Sequence, residues 1–229
     1  MANPTNAIEV VNQKERSVFK GATIATVNSR RNGTHNYLYV ADFRQGKIEV
    51  FDTGFKRVFE LEEEFTENDV PRGYAPFNVQ NIGGNLYVAY AKQDGEKHDE
   101  EHGAGLGFVR VYSPSGEFLH RLDNGWFLNA PWGLVQAPSD FGPYSHAILV
   151  GNFGSGLIAV FDPITGEFKD VLRDAKSAPI AIDGLRALSF GDGTAGLATT
   201  LYFTAGTNHG SDGLFGTLIA LQNPQGNDQ

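Results

Sequence analysis

Apolar and polar residues alternate in short runs along most of the chain. Leu38-Tyr39-Val40-Ala41, Lys47-Ile48-Glu49-Val50-Phe51 and Phe108-Val109-Arg110-Val111-Tyr112 are examples. Runs of this length and period predict β-strands whose two faces meet different surroundings. Helical periodicity is scarce. Turn signals separate the runs: Asn32-Gly33, Gly83-Gly84-Asn85, Pro114-Ser115-Gly116 and Pro163-Ile164-Thr165-Gly166.

The strands repeat. One element reads Leu38-Tyr39-Val40-Ala41-Asp42-Phe43, then Leu86-Tyr87-Val88-Ala89-Tyr90, then Ile148-Leu149-Val150-Gly151-Asn152-Phe153, then Leu201-Tyr202-Phe203-Thr204-Ala205-Gly206. A second follows each copy, beginning at Gly46, Gly107, Gly156 and Gly216. A third precedes each: Lys20-Gly21-Ala22-Thr23, Ala75-Pro76-Phe77-Asn78, Ala130-Pro131-Trp132-Gly133 and Asp183-Gly184-Leu185-Arg186. A weaker fourth strand follows the turn, beginning at Arg57, Glu117 and Phe168. Four short strands per unit predict an all-β propeller, because one twisted antiparallel sheet cannot bury both faces until others stack beside it.

The units span residues 16–68, 69–125, 126–178 and 179–221, within a single propeller domain covering residues 1–229. The last unit stops after three strands, and residues 222–229 form a tail. Ala7-Ile8-Glu9-Val10-Val11 reads as a spare strand able to complete that last blade. Either four blades close into a small ring, or the chain is an arc of a larger one.

Tyr74-Ala75-Pro76-Phe77-Asn78-Val79-Gln80-Asn81-Ile82-Gly83-Gly84, Leu128-Asn129-Ala130-Pro131-Trp132-Gly133-Leu134, Leu149-Val150-Gly151-Asn152-Phe153-Gly154 and Ile182-Asp183-Gly184-Leu185 together resemble an uncharacterised bacterial β-propeller family with NHL-like repeats. Many of its members are exported, some with PEP-CTERM sorting tails. The resemblance implies a ring of about six blades, of which this chain matches the C-terminal two-thirds. It implies an extracellular or periplasmic location and no particular activity.

Composition narrows the chemistry. With no Cys there is no disulfide framework, no thiolate metal site and no thiol nucleophile. A net charge of -9 argues against nucleic acid as a partner. No apolar run reaches the about 18 residues of a membrane-spanning helix.

Candidate groups gather where the loops between second and third strands meet the entries to the inner strands. Those positions carry Lys20, Asp42, Arg44, Asn78, His98, His102, Trp132, Asn152, Asp183, Asn208 and His209. Such loops on a rigid scaffold form the expected ligand-binding rim. Asp42, Asn152, Asp183 and Asn208 supply oxygen ligands that could meet over the axis around Ca2+ or another divalent cation. The competing reading is that Asp and Asn at strand ends satisfy turn amides. His98 and His102 have the spacing of a zinc-protease helix, but Asp99 replaces the required Glu, and Gly95, Gly103 and Gly105 oppose a helix. Carboxylates and imidazoles there suit a cation; a solvated surface loop is the plainer reading. Gly191-Asp192-Gly193-Thr194-Ala195-Gly196 matches a dinucleotide fingerprint by letter, yet a strand follows it, so a hairpin loop is expected. Phe77, Trp126, Phe127 and Trp132 could stack on a sugar or an aromatic ligand, although the equivalent places of Phe77 and Trp132 favour packing between blades.

The sequence therefore points to a non-catalytic binding or interaction propeller for a small molecule or a protein. The alternative is a metal-dependent hydrolase or lactonase with its cation over the axis. Catalytic residues are not identified. Partial rings could also pair through open blade edges into a homo-oligomer.

Overall fold

A computed structural model describes residues 7–13, 15–29, 33–65, 70–194 and 196–221. The expected tail at 222–229 and the expected junction of the first two units at 66–69 lie outside the described residues. Four antiparallel sheets follow one another along the chain. The first holds β1 (Phe19–Ser29), β2 (Gly33–Asp42) and β3 (Lys47–Phe51). A short helix, α1 (Phe59–Glu64), comes next. The second sheet holds β4 (Tyr74–Ile82), β5 (Asn85–Gln93), β6 (Glu100–Glu101), β7 (Gly107–Tyr112) and β8 (Phe118–Arg121). The third holds β9 (Pro131–Gln136), β10 (Ile148–Asn152), β11 (Ile158–Phe161) and β12 (Phe168–Val171). The last holds β13 (Leu185–Phe190), β14 (Thr200–Ala205) and β15 (Leu214–Ile219). This is the β-propeller architecture expected from the repeats, with four blades.

The middle strands explain their own composition. In β5, Leu86, Val88 and Tyr90 pack towards Tyr39, Ile48 and Val50 of the first sheet. Tyr87 and Ala89 face the other way, towards Ile148, Val150 and Phe161 of the third. A strand buried on both faces must be apolar at consecutive positions. The third and fourth sheets are joined the same way, by Leu149, Ile158 and Val160 against Leu185, Leu201 and Phe203.

The inner strands line up in chain order: β1 packs on β4, β4 on β9 and β9 on β13. Among the described residues no comparable packing joins β13 back to β1. Residues 7–13 enter no sheet, and Ile8 and Val10 are exposed. Residues 7–11, read as a spare or ring-closing strand, pair with no sheet here; the last sheet has three strands, and Phe215 and Ile219 on β15 are exposed. A correction concerns the first blade. Arg57 makes one isolated bridge to Phe51, and α1 then replaces the expected fourth strand. Leu61 and Phe65 pack on the core beside Tyr39 from the position that β8 and β12 take in the second and third blades. No helix among the described residues is long and apolar enough to cross a membrane.

Candidate binding rim

Each inner strand begins with the same irregularity. Pairing steps from Phe19↔Asp42 to Ala22↔Val40, from Pro76↔Tyr90 to Asn78↔Ala89, from Pro131↔Asn152 to Gly133↔Gly151, and from Leu185↔Ala205 to Leu188↔Phe203. In every case the inner strand holds one residue more than its partner. Such a bulge leaves a residue unpaired and re-aims its side chain. Phe77 and Trp132 are the unpaired residues of the second and third sheets. The extra residue of the first lies within Lys20-Gly21, and that of the fourth within Arg186-Ala187.

The position after the bulge fixes the alignment. There the inner strands approach so closely that a Cβ on Gly21 would stand 1.9 Å from Asn78 Oδ1, and one on Gly133 would stand 2.7 Å from the carbonyl oxygen of Arg186. Gly21, Asn78, Gly133 and Ala187 are thus equivalent, and so are Lys20, Phe77, Trp132 and Arg186 before them. The repeated motifs instead match Lys20 with Ala75, Ala130 and Asp183. An unpaired residue is invisible to motif matching and shifts the comparison.

These four side chains share the rim with two further aromatics. Phe43 and Phe153 follow the strand-end residues Asp42 and Asn152. Their amides donate to the carbonyls of Val18 (2.9 Å) and Ala130 (3.0 Å), which ties each second strand to an inner-strand entry. The rings of Phe43 and Phe77 lie 5.4 Å apart, and those of Phe77 and Trp132 meet edge-on at 4.7 Å. Lys20 Nζ stands 5.6 Å from both the Phe43 and Phe77 rings. At the other end the Arg186 guanidinium lies 4.5 Å from the Phe153 ring, and His102 meets that ring edge-on at 5.2 Å. Phe43, Ala75, Phe77, Ala91 and Ala130 form one buried cluster, with Trp132 and Phe153 packed against it. The result is a continuous apolar layer with a cation at each end.

The remaining expected residues fall into three groups. Asn78 is structural: its Nδ2 donates to the Trp132 carbonyl at 2.7 Å and so ties β4 to β9. Arg44 turns away and donates to the Glu15 carbonyl at 3.1 Å. His98 and His102 belong to an ordered hairpin rather than a loose loop. Lys92 pairs with Glu101 across β5 and β6, and the Asp94 amide donates to the Asp99 carbonyl at 2.8 Å. Asp99 then reaches His98 at 3.0 Å and Lys20 at 3.0 Å, and these hydrogen bonds hold its carboxyl below the ordinary Asp range. Glu100 lies 3.8 Å from Lys20 and 3.4 Å from His102 Nε2. The hairpin acids pair with Lys20, and Glu100 also reaches His102 beside Phe153.

Asp42, Asn152, Asp183 and Asn208 are placed in two settings. Asp42 and Asn152 are fully buried and serve the backbone. Asp183 Oδ2 accepts from the Asn208 amide at 3.1 Å, at the exposed end of the last sheet. Asn208 and His209 there both have left-handed backbone, at φ 53° and 54°. Among the described residues no group of three or more His, Asp or Glu is gathered to hold a metal ion. Buried carboxylates occur instead on the first sheet. Glu49 lies 3.4 Å from both Lys47 and Arg57, and Gln13 Nε2 donates to it at 2.7 Å. Burial nevertheless raises its pKa, with Asp42 adding repulsion.

The glycines at 191–196 lie in the hairpin connection between β13 and β14, as expected. Trp126 and Phe127 stand apart from the rim, against Phe168. Sequence reasoning passes over Phe43, Phe153 and Arg186. The first two carry a signal, because each follows the same strand-end position in its repeat.

No family model matches the chain. An uncharacterised protein of Acanthamoeba polyphaga mimivirus is 34% identical over 235 residues, covering 97% of this chain and 58% of that protein. Another from the same virus is 33% identical over 228 residues, covering 96% and 53%. The chain spans about half the length of the curated relatives it matches. Among solved structures, the exo-β-1,3-galactanase of Phanerochaete chrysosporium superposes with a TM-score of 0.53 at 8% identity, over 90% of this chain and 48% of that one. The α-L-arabinofuranosidase of Fusarium graminearum gives 0.51 at 12%, over 86% and 57%. At these identities the likeness is one of fold, and the fold is the β-propeller.

Proposed function

We propose that the chain is a non-catalytic binding propeller that holds its ligand on the bulged rim. One observation carries this reading. The same backbone device in four sheets delivers Lys20, Phe77, Trp132 and Arg186 to one face, where they join Phe43 and Phe153 in a single layer. Phe43 and Phe77 form the buried floor of that layer. The half-buried Trp132 and Phe153 bring it to solvent between Lys20 and Arg186, where aromatic rings bounded by charge can recognise a ligand by stacking and by its polar ends. The rim acids Asp99 and Glu100 are engaged with Lys20 and the histidines, which suits positioning rather than proton transfer.

The protein has two tryptophans, and Trp126 lies away from the rim. A Trp126→Phe protein therefore reports from Trp132 alone. Titration with a panel of oligosaccharides, aromatic acids and peptides should give a saturable change in Trp132 emission with no change in the added compound. A bound compound that leaves Trp132 unaffected, or that is converted to product, overturns the reading. The resembled family supports an extracytoplasmic setting for this activity. Cell fractionation tests it, and recovery of the chain in the cytosol alone would remove that part.

A further inference from the structure

The two cations of the rim are equivalent in position and opposite in circumstance. Lys20 is held by Asp99 and Glu100. Arg186, exposed at the far end, makes no ion pair and no side-chain hydrogen bond with any described residue. The acids nearest to it in the chain and in the adjoining loop are otherwise occupied. Asp183 accepts from the Asn208 amide, and Asp212 accepts from Asn208 Nδ2 at 3.3 Å. The guanidinium is also not loose. It rests over Phe153, and the bare Cα of Gly206 lets it lie so close that a Cβ there would stand 3.4 Å from Nε. Contact with an aromatic ring leaves the N–H groups of an arginine unspent, and on an exposed side chain they can meet two oxygens of one oxyanion.

From this geometry we infer that Arg186 forms an anion subsite at one end of the rim. It selects ligands that carry a carboxylate or phosphate group joined to a flat or ring-shaped apolar body. The body lies against the half-buried ring of Trp132, which rests on the buried Phe43 and Phe77 beneath it, and the oxyanion meets the guanidinium. The inference rests on the rim being a binding surface and names the ligand class. The overall charge of -9 sharpens it, because a protein of that charge repels anions except where a local cation is left uncompensated.

Calorimetric titration with three probes of one shape tests the subsite: 2-naphthoate, 2-naphthyl phosphate and the neutral 2-naphthamide. Binding of either anion should exceed that of the amide by about tenfold or more, as expected of a charge-assisted bidentate contact. Arg186→Gln should remove that preference and leave the amide's affinity unchanged. Arg186→Lys should recover part of it, since charge returns without the fork. The side chain is exposed, so both variants should keep the parent's circular dichroism spectrum. Equal affinity for all three probes, or an anion preference that survives Arg186→Gln, overturns the subsite while leaving the rim reading intact. If none of the probes binds at all, the subsite is again overturned, and an unresponsive Trp132 across the wider panel then removes the rim reading with it.

Discussion

Asp42 and Asn152 occupy the same slot in two blades, and only one of them fills it. Each ends a second strand, is fully buried and precedes a rim phenylalanine. Each side-chain oxygen accepts an amide from the approaching inner strand: Val18 N–H donates to Asp42 at 3.2 Å, and Asn129 N–H to Asn152 at 2.8 Å. Asn152 also donates, from Nδ2 to the carbonyls of Val150 (3.3 Å) and Leu157 (3.1 Å). Asp42 has no donor to offer. Its Oδ1 takes a second amide from Gln45 at 3.2 Å, while its Oδ2 is buried with no hydrogen-bond partner among the described residues. The slot is a backbone clamp that an amide satisfies completely and a carboxylate satisfies by half. A buried unspent oxygen costs stability, so the first blade bears a penalty that the third does not.

The largest expected effect comes from copying the imperfect clamp into the third blade. Asn152→Asp removes two donated bonds and sets a carboxylate against two carbonyl oxygens. It should destabilise the protein by about 3 kcal/mol in a urea titration. A loss below about 1 kcal/mol would show that the third-blade clamp yields easily, and the comparison would fail. The reverse change should help. Asp42→Asn restores a donor at a place where Val40 and Lys47 correspond to Val150 and Leu157, so a gain of about 1 kcal/mol is expected. A loss instead would reveal a partner for Oδ2, such as a bound cation or water. The smallest effect is a slope with pH. Burial raises the pKa of Glu49, so the folded protein binds its proton more tightly than the unfolded chain does. That contribution is full below the ordinary Glu value and falls away as pH climbs through the raised one. Stability should therefore decline with rising pH across this window, and Glu49→Gln should flatten the decline. Asp42→Asn should shift the window downward by removing one repelling charge. The third-blade clamp contains no ionisable group and should show no such slope.

The fold is legible because burial on both faces writes itself into runs such as Leu86-Tyr87-Val88-Ala89-Tyr90. Repetition of those runs then announces stacked sheets. The first blade misleads at Arg57-Val58-Phe59-Glu60-Leu61, where the apolar spacing suits a strand and a single helical turn equally well. Residues 7–11 mislead for a different reason. Their alternation is that of a strand, but a strand needs an available edge, and edges are set by the assembled arc. At the rim, Trp132 and Phe77 are found from their shared place after Pro. Arg186 is hidden, because one unpaired residue per inner strand moves the true alignment away from the one that matching motifs suggests.

The bulge has a consequence for how such a surface changes over time. A residue that pairs with nothing answers to no ladder, and here the four equivalent places hold an amine, a benzene ring, an indole and a guanidinium. Lys20, Trp132 and Arg186 can be exchanged without altering the register, whereas Phe77 is tied to the buried cluster beneath the rim. Blade by blade, recognition can therefore drift towards a new ligand while the scaffold stays as it is.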